Sequence, residues 1–220
     1  MFSKHRADFP TLNVDNPPVY LDNACMTLRP NPVIAAIRSY YEESPGCGGR
    51  SVHRYANIVS RKMINCRKKM GALFNAYETD EIVFTKNATH SLNQVAKGLS
   101  WNKGDVVLTT DREHNSNLVP WLQLEQEQGI DHRVVKSNDD NTFDLEAFES
   151  ACADAGDKLR MVSISHVGNL DGVATPVKQV AKIAKDHGAM VCIDGAQSTP
   201  HMSVDVQDLG IDFMAFSIHK

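Results

Sequence analysis

Short apolar runs, each too brief to be a helix, constrain this chain more than any other feature. They lie at 82–85 (IVFT), 105–109 (DVVLT), 132–135 (HRVV), 160–165 (RMVSIS), 189–193 (AMVCI) and 213–216 (FMAF). They are largely continuous rather than alternating, the pattern of parallel strands buried on both faces. Between and before them, apolar residues recur at three- and four-residue steps. That spacing predicts helices near 31–43, 57–76, 89–99, 116–128, 144–154 and 176–187. Strand–helix–strand succession predicts an α/β fold, a mostly parallel sheet with helices on both faces. Right-handed crossovers then bring the strand C-termini to one edge, where ligands bind in open α/β sheets.

Composition excludes several alternatives. A chain of 220 residues buries roughly 70% of its unfolded surface and needs no disulfide or metal to fold. A formal charge of −4 gives no electrostatic reason for nucleic-acid binding. No run of 18 apolar residues is present, so no membrane-spanning helix is expected. Residues 1–18 lack an apolar stretch of secretory type. The five cysteines, Cys25, Cys47, Cys66, Cys152 and Cys192, are scattered and form no CxxC pair. That spacing argues against a zinc site or disulfide framework and predicts reduced thiols in the cytoplasm. Neither GxGxxG nor GxxxxGK[ST] occurs, which weighs against an ordinary nucleotide-binding module. Residues 1–19 read as an N-terminal arm and 20–220 as one ligand-binding domain.

The residues just after each run are polar and specific. Lys86-Asn87-Ala88-Thr89-His90-Ser91 opens a helix, so Thr89 reads either as an N-cap or as a donor to an anion at the helix N-terminus. The next run ends in a cluster containing Glu113, His114, Asn115, Ser116 and Asn117. His114 can stack on a planar ligand or move a proton, and a solvated loop with an Asn or Ser cap is the plainer reading. Asn169 lies between Gly168 and Gly172, either a turn residue or a side-chain donor. Asp194 directly follows an apolar strand, where a carboxylate is costly unless paired. It reads as a turn residue or as the partner of a ligand cation. Lys220 follows the last run and is either a charged chain end or an imine-forming amine. Together, a phosphate-type site, a His, an amide, a carboxylate and a Lys on one sheet edge suit pyridoxal 5′-phosphate (PLP).

The motifs Glu113-His114-x-Ser116-Asn117-Leu118-Val119-Pro120-Trp121, Ser165-His166-Val167-x-Asn169, Val191-x-Ile193-Asp194-Gly195-Ala196-Gln197, Pro200-His201-Met202-x-Val204-Asp205-Val206 and Ser217-x-His219-Lys220 carry a resemblance. The chain resembles the large domain of the class V aminotransferase family of fold-type I PLP enzymes, nearest the group II cysteine desulfurases and selenocysteine lyases. The likeness runs from Tyr20 to Lys220. It implies that Lys220 is the Schiff-base lysine and that Asp194 partners the pyridine nitrogen. It implies that Gln197 and Asn169 bond the phenolic oxygen or the substrate carboxylate. His114 would stack on the ring and act as acid or base. Ala88, Thr89, Ser217 and His219 fall in the phosphate-binding positions, and Arg50 and His53 in a loop at the active-site mouth. The implied activity is conversion of L-cysteine to L-alanine with sulfur left on the enzyme. A class V aminotransferase, an epimerase- or kynureninase-like enzyme and an inactive truncated homologue are the alternatives. A homodimer and a sulfur-acceptor protein are the implied partners, with no membrane and no nucleic acid.

The chain departs from the family pattern in places. The usual Gly-Thr-Thr phosphate turn reads Asn87-Ala88-Thr89, and Asp171 adds a carboxylate near Asn169. Family members also continue well beyond the lysine. The expectation is therefore an N-terminal fragment lacking the small C-terminal domain, the substrate-clamping arginine and the nucleophilic cysteine. Such a chain is expected to have weak or no turnover by itself.

Overall fold

The computed structural model describes residues 3–220. They divide into two units. The first comprises the chain up to Ala72 with Glu78–Ile82 and His219–Lys220, and the second comprises Leu73–Tyr77 and Val83–Ile218.

The first unit is helical. A short helix α1 (Ser3–Arg6) and a 3-10 turn (Pro10–Leu12) precede α2 (Asn31–Glu43) and α3 (Arg54–Phe74). The Asn31 amide donates to the Asp8 carbonyl (2.7 Å), which ties the arm to the start of α2. The Ala56 amide donates to His53 Nδ1 (3.4 Å), satisfying one of the orphan donors in the first turn of α3. Arg67 Nε donates to the Ile82 carbonyl (3.1 Å). None of the α2 residues is buried, and Val33, Ile34, Ile37 and Tyr40 stay exposed.

The second unit carries the sheet. In chain order it runs α4 (Ala88–Gly98), β1 (Val106–Thr110), α5 (Asn115–Gln128), β2 (Asp131–Val135), α6 (Leu145–Ala155), β3 (Leu159–Ser165), α7 (Val177–Asp186), β4 (Met190–Asp194), α8 (Val206–Leu209) and β5 (Phe213–Ala215). The five strands are all parallel, in the order β2-β1-β3-β4-β5.

Period-two alternation sorts the side chains into two cores. Val106, Leu108, Val162, Ile164, Val191 and Ile193 face α6 and α7, where Phe148, Cys152, Val177 and Val180 meet them. Val107, Met161 and Cys192 face α4 and α5, against Leu92, Ala96, Trp121 and Leu124. Every residue of β1 is buried, as the continuous apolar runs predict. The α/β fold with helices on both faces is therefore borne out.

The run at 82–85 is not a strand. It joins none of the strands of the sheet, and Val83 is 67% exposed. An apolar run becomes a strand only where a neighbour offers a ladder, and among the described residues the sheet ends at β5.

The strand order fixes where a ligand crevice opens. From β1 the chain moves outward to β2, then crosses back to β3 on the other side of β1 and continues outward to β4 and β5. The loops leaving β1 and β3 therefore diverge, and the crevice lies between their C-terminal ends.

Candidate active site along the strand ends

A chain of hydrogen bonds knits the C-terminal edge of the sheet. The Ala88 amide donates to Ser217 Oγ (3.0 Å). The Gly195 amide donates to the Ala215 carbonyl (2.7 Å), and the His166 amide to the Asp194 carbonyl (3.0 Å). The Ser165 amide donates to Glu113 Oε1 (3.1 Å). Residues far apart in sequence are thus held along one edge of the second unit.

At one end of this edge α4 begins. Its N-cap is Asn87, whose Oδ1 accepts from the His90 amide (2.9 Å), so the cap reading of Thr89 is corrected. Thr89 lies inside the first turn with its hydroxyl-bearing side chain exposed. Ser217 is buried, and its oxygen already accepts from Ala88, which leaves its proton to donate elsewhere. A helix N-terminus with a serine hydroxyl and a threonine beside it suits a phosphate group.

At the end of β4, Asp194 is 4% exposed. Its Oδ1 accepts from the Ala196 amide (3.0 Å) in the turn that follows, so it serves that turn as well as being a buried carboxylate. Gln197 lies in the same turn and is likewise buried. A carboxylate beside an amide at a strand end has the chemistry for a ligand with a cationic ring nitrogen and a polar oxygen.

The β1–α5 turn occupies the crevice side. Here the expected Asn or Ser cap is corrected, because His114 itself caps α5. The Ser116 amide donates to His114 Nδ1 (3.1 Å), and Ser116 Oγ lies 2.7 Å from the same nitrogen. The imidazole is exposed. Glu113 turns the other way. Its carboxylate accepts from Thr110 Oγ1 (2.7 Å), Asn117 Nδ2 (2.6 Å), the Ser165 amide (3.1 Å) and Ser165 Oγ (2.8 Å). Burial pushes the Glu113 pKa up, and the four donors pull it back. Asn117 continues the network, its Oδ1 accepting from Ser163 Oγ (2.6 Å). The sequence reading gave Glu113 no role. Its position three residues after a buried strand is the one signal in the sequence that could have pointed to it.

The β3–α7 turn carries Asn169, exposed at the tip, with the Val167–Ala174 bridge at its base. The left-handed position in this turn is Gly172 (φ 73°), so Asn169 is not the residue that the turn requires. Asp171 pairs with Arg112, which also donates to Asn141. The extra carboxylate expected near Asn169 is therefore neutralised by an arginine from the β1–α5 turn. His166 is 5% exposed, and burial pushes its pKa down.

Other expected site residues belong to the first unit. The His219 carbonyl accepts from the Thr27 amide (3.0 Å) and from Arg29 Nη1 (3.2 Å), and Lys220 follows it. Arg50 and His53 are both exposed, in the segment before α3. Cys25, Cys47 and Cys66 are exposed thiols, while Cys152 and Cys192 are buried. Burial pushes the Cys152 and Cys192 thiols up to about 12, so neither offers a thiolate near neutral pH. No group of His, Cys, Asp and Glu among the described residues is arranged to hold a metal ion. No helix among them is long and apolar enough to cross a membrane.

A parallel sheet with a helix N-terminus, a buried carboxylate, a buried amide and a histidine along its C-terminal edge defines the large-domain type of fold-type I PLP enzymes. The chain belongs to the aminotransferase class-V family, whose profile matches residues 19–220. It is 41% identical over 215 residues to a probable cysteine desulfurase of Methanothermobacter thermautotrophicus, covering 98% of this chain and 52% of that protein. The apo structure of a cysteine desulfurase from Thermococcus onnurineus NA1 superposes with a TM-score of 0.92 at 37% identity, over 100% of this chain and 53% of the other. The Escherichia coli cysteine desulfurase CsdA gives 0.86 at 31% identity, over 99% and 54%. The chain thus spans about half the length of the curated relatives it matches.

Proposed function

We propose that this chain is the cofactor-binding part of a PLP-dependent cysteine desulfurase, acting on L-cysteine to give L-alanine and enzyme-bound sulfur. The observation that carries the reading is the buried Asp194 carboxylate at the end of β4. It shares its sheet edge with the Ser217-braced start of α4. The donor set fits the cofactor. The α4 N-terminus with Thr89 and Ser217 suits its phosphate, Asp194 its ring nitrogen, and Gln197 with Asn169 its oxygen or the substrate carboxylate. His114 offers a plane for the ring. Lys220, which the family resemblance assigns this role, is the amine that would hold the cofactor's aldehyde. When bound, the cofactor supplies an electron sink that weakens the bonds at an amino acid's α-carbon.

The chain's own residues do the rest. Asp194 would hold the ring nitrogen in its protonated form, and the α4 dipole would compensate the phosphate charge. The Lys220 amine would move protons at the α-carbon. Sulfur acceptance requires a thiolate, which Cys152 and Cys192 do not provide. A homodimer and a protein sulfur acceptor belong to the same proposal.

The test is product identity. With PLP, L-cysteine and a thiol reductant, a desulfurase forms L-alanine and sulfide in equal amounts. A class V aminotransferase forms a keto acid without sulfide. Turnover by this chain should be slow, and a shift in cofactor absorbance on adding L-cysteine provides a second readout. Keto-acid formation, or a response to other amino acids but not to cysteine, would contradict the proposal.

A further inference from the structure

The β1–α5 turn holds its histidine in a particular way. A backbone N–H cannot rotate or change its role, so the Ser116 amide at 3.1 Å requires a lone pair on His114 Nδ1. The Ser116 hydroxyl, 2.7 Å from the same nitrogen, can turn its proton toward that lone pair as well. A neutral imidazole with its lone pair on Nδ1 carries its proton on Nε2.

The turn in turn is pinned from below. Glu113, the preceding residue, reaches from the end of β1 across the crevice and takes both the amide and the hydroxyl of Ser165 at the end of β3. Thr110 and Asn117 complete a four-donor cage around its carboxylate. Asn117 is the third residue of α5 and fully buried, so the same cage fixes the first turn of the helix that His114 caps.

We propose that Ser116 and Glu113 are positioning residues for His114: Ser116 fixes the imidazole as the Nε2–H tautomer, and Glu113 anchors the turn that keeps it so. Residue 114 then presents a hydrogen-bond donor at Nε2, not an acceptor. Any group that must accept a proton there is another residue. This consequence for the reaction rests on the functional reading above. The tautomer itself does not, because it is set by contacts within this chain.

The experiment is long-range 1H–15N correlation of the imidazoles of the uniformly 15N-labelled chain, without cofactor. It is run at about pH 8, above the ordinary histidine pKa of about 6.5. The His114 signals are identified by their loss in His114→Asn. The expected pattern has Nδ1 in the lone-pair range and Nε2 in the protonated range. An Nδ1–H pattern overturns the proposal, whether or not the protein proves to be a desulfurase. In Glu113→Gln an amide donor replaces an acceptor opposite the Asn117 amide, and the His114 nitrogens should move toward each other as tautomers mix. His132, held separately by Thr109 Oγ1 (2.8 Å), is the internal control for an intact fold. A folded Glu113→Gln with an unchanged His114 pattern removes Glu113 from the proposal. Should that variant not fold, Ser165→Ala keeps the backbone donor, deletes the hydroxyl donor, and should shift the His114 pattern in the same direction by less. An unchanged pattern there has the same adverse meaning.

Discussion

Ser217→Ala is the sharpest probe of the phosphate cradle. The Ser217 oxygen is the acceptor for the Ala88 amide at 3.0 Å, and both residues are buried. Deleting it strands a buried donor, which costs about 1–3 kcal/mol. It also removes the proton that Ser217 has left to donate. A hydrogen bond to a charged phosphate contributes about 1.5–3 kcal/mol, or roughly a 10- to 150-fold change in Kd at 1.4 kcal/mol per tenfold. Urea unfolding of the apo chain reads the first effect, and absorbance titration with PLP reads the second. Pyridoxal, which lacks the phosphate, is the control. The variant should lose stability, bind PLP at least tenfold more weakly and bind pyridoxal unchanged. Equal weakening toward both ligands, or unaltered PLP affinity in a folded variant, would refute the assignment of Ser217 to the phosphate.

Three further outcomes are expected. His166 has a folded pKa pushed below its unfolded value by burial, so between those values the unfolded chain binds a proton that the folded chain does not. Stability should therefore fall as pH drops below about 6.5, by up to ~1.4 kcal/mol per pH unit; Glu113, raised in the folded state, works in the opposite sense nearer pH 4.5. Denaturant melts at stepped pH should show the slope, and His166→Gln should flatten it. A Cβ at Gly168 would press against Asp171 Oδ1, so Gly168→Ala should displace Asp171 from Arg112. The loss of that partly exposed pair is at most about 1 kcal/mol. A thermal-melt double-mutant cycle should show the effect of Gly168→Ala vanishing in Asp171→Ala. Phe148 fills the core between α6 and the sheet at 1% exposure, and Phe148→Ala should cost about 3–5 kcal/mol by urea titration.

Much of this architecture is visible in the residues alone, for identifiable reasons. The runs at 105–109, 160–165 and 189–193 are largely apolar on both faces because helices cover both sides of the sheet. The run at 82–85 has the same composition, yet it joins no ladder of the sheet, and a ladder partner cannot be read from sequence. Helix caps show a subtler limit. Thr89 and Ser116 have cap chemistry, but Asn87 and His114 take the role, because the chain turns one or two residues earlier than the hydrophobic periodicity indicates. Asp194, Gln197 and Ser217 stand out because polar residues directly follow buried strands. Glu113 and the Arg112–Asp171 pair do not, because Ser165, which supplies two of the four donors to Glu113, is 52 residues away and Asp171 is 59 residues from Arg112. Only the strand order 2-1-3 brings those loops together.

Reduction of the PLP-treated chain with borohydride, followed by peptide mapping, locates the imine. One stable pyridoxyl label is expected, on Lys220, lost in Lys220→Ala and suppressed in Asp194→Ala. A label spread over surface lysines, or a single label at another lysine of the folded chain, would contradict that expectation.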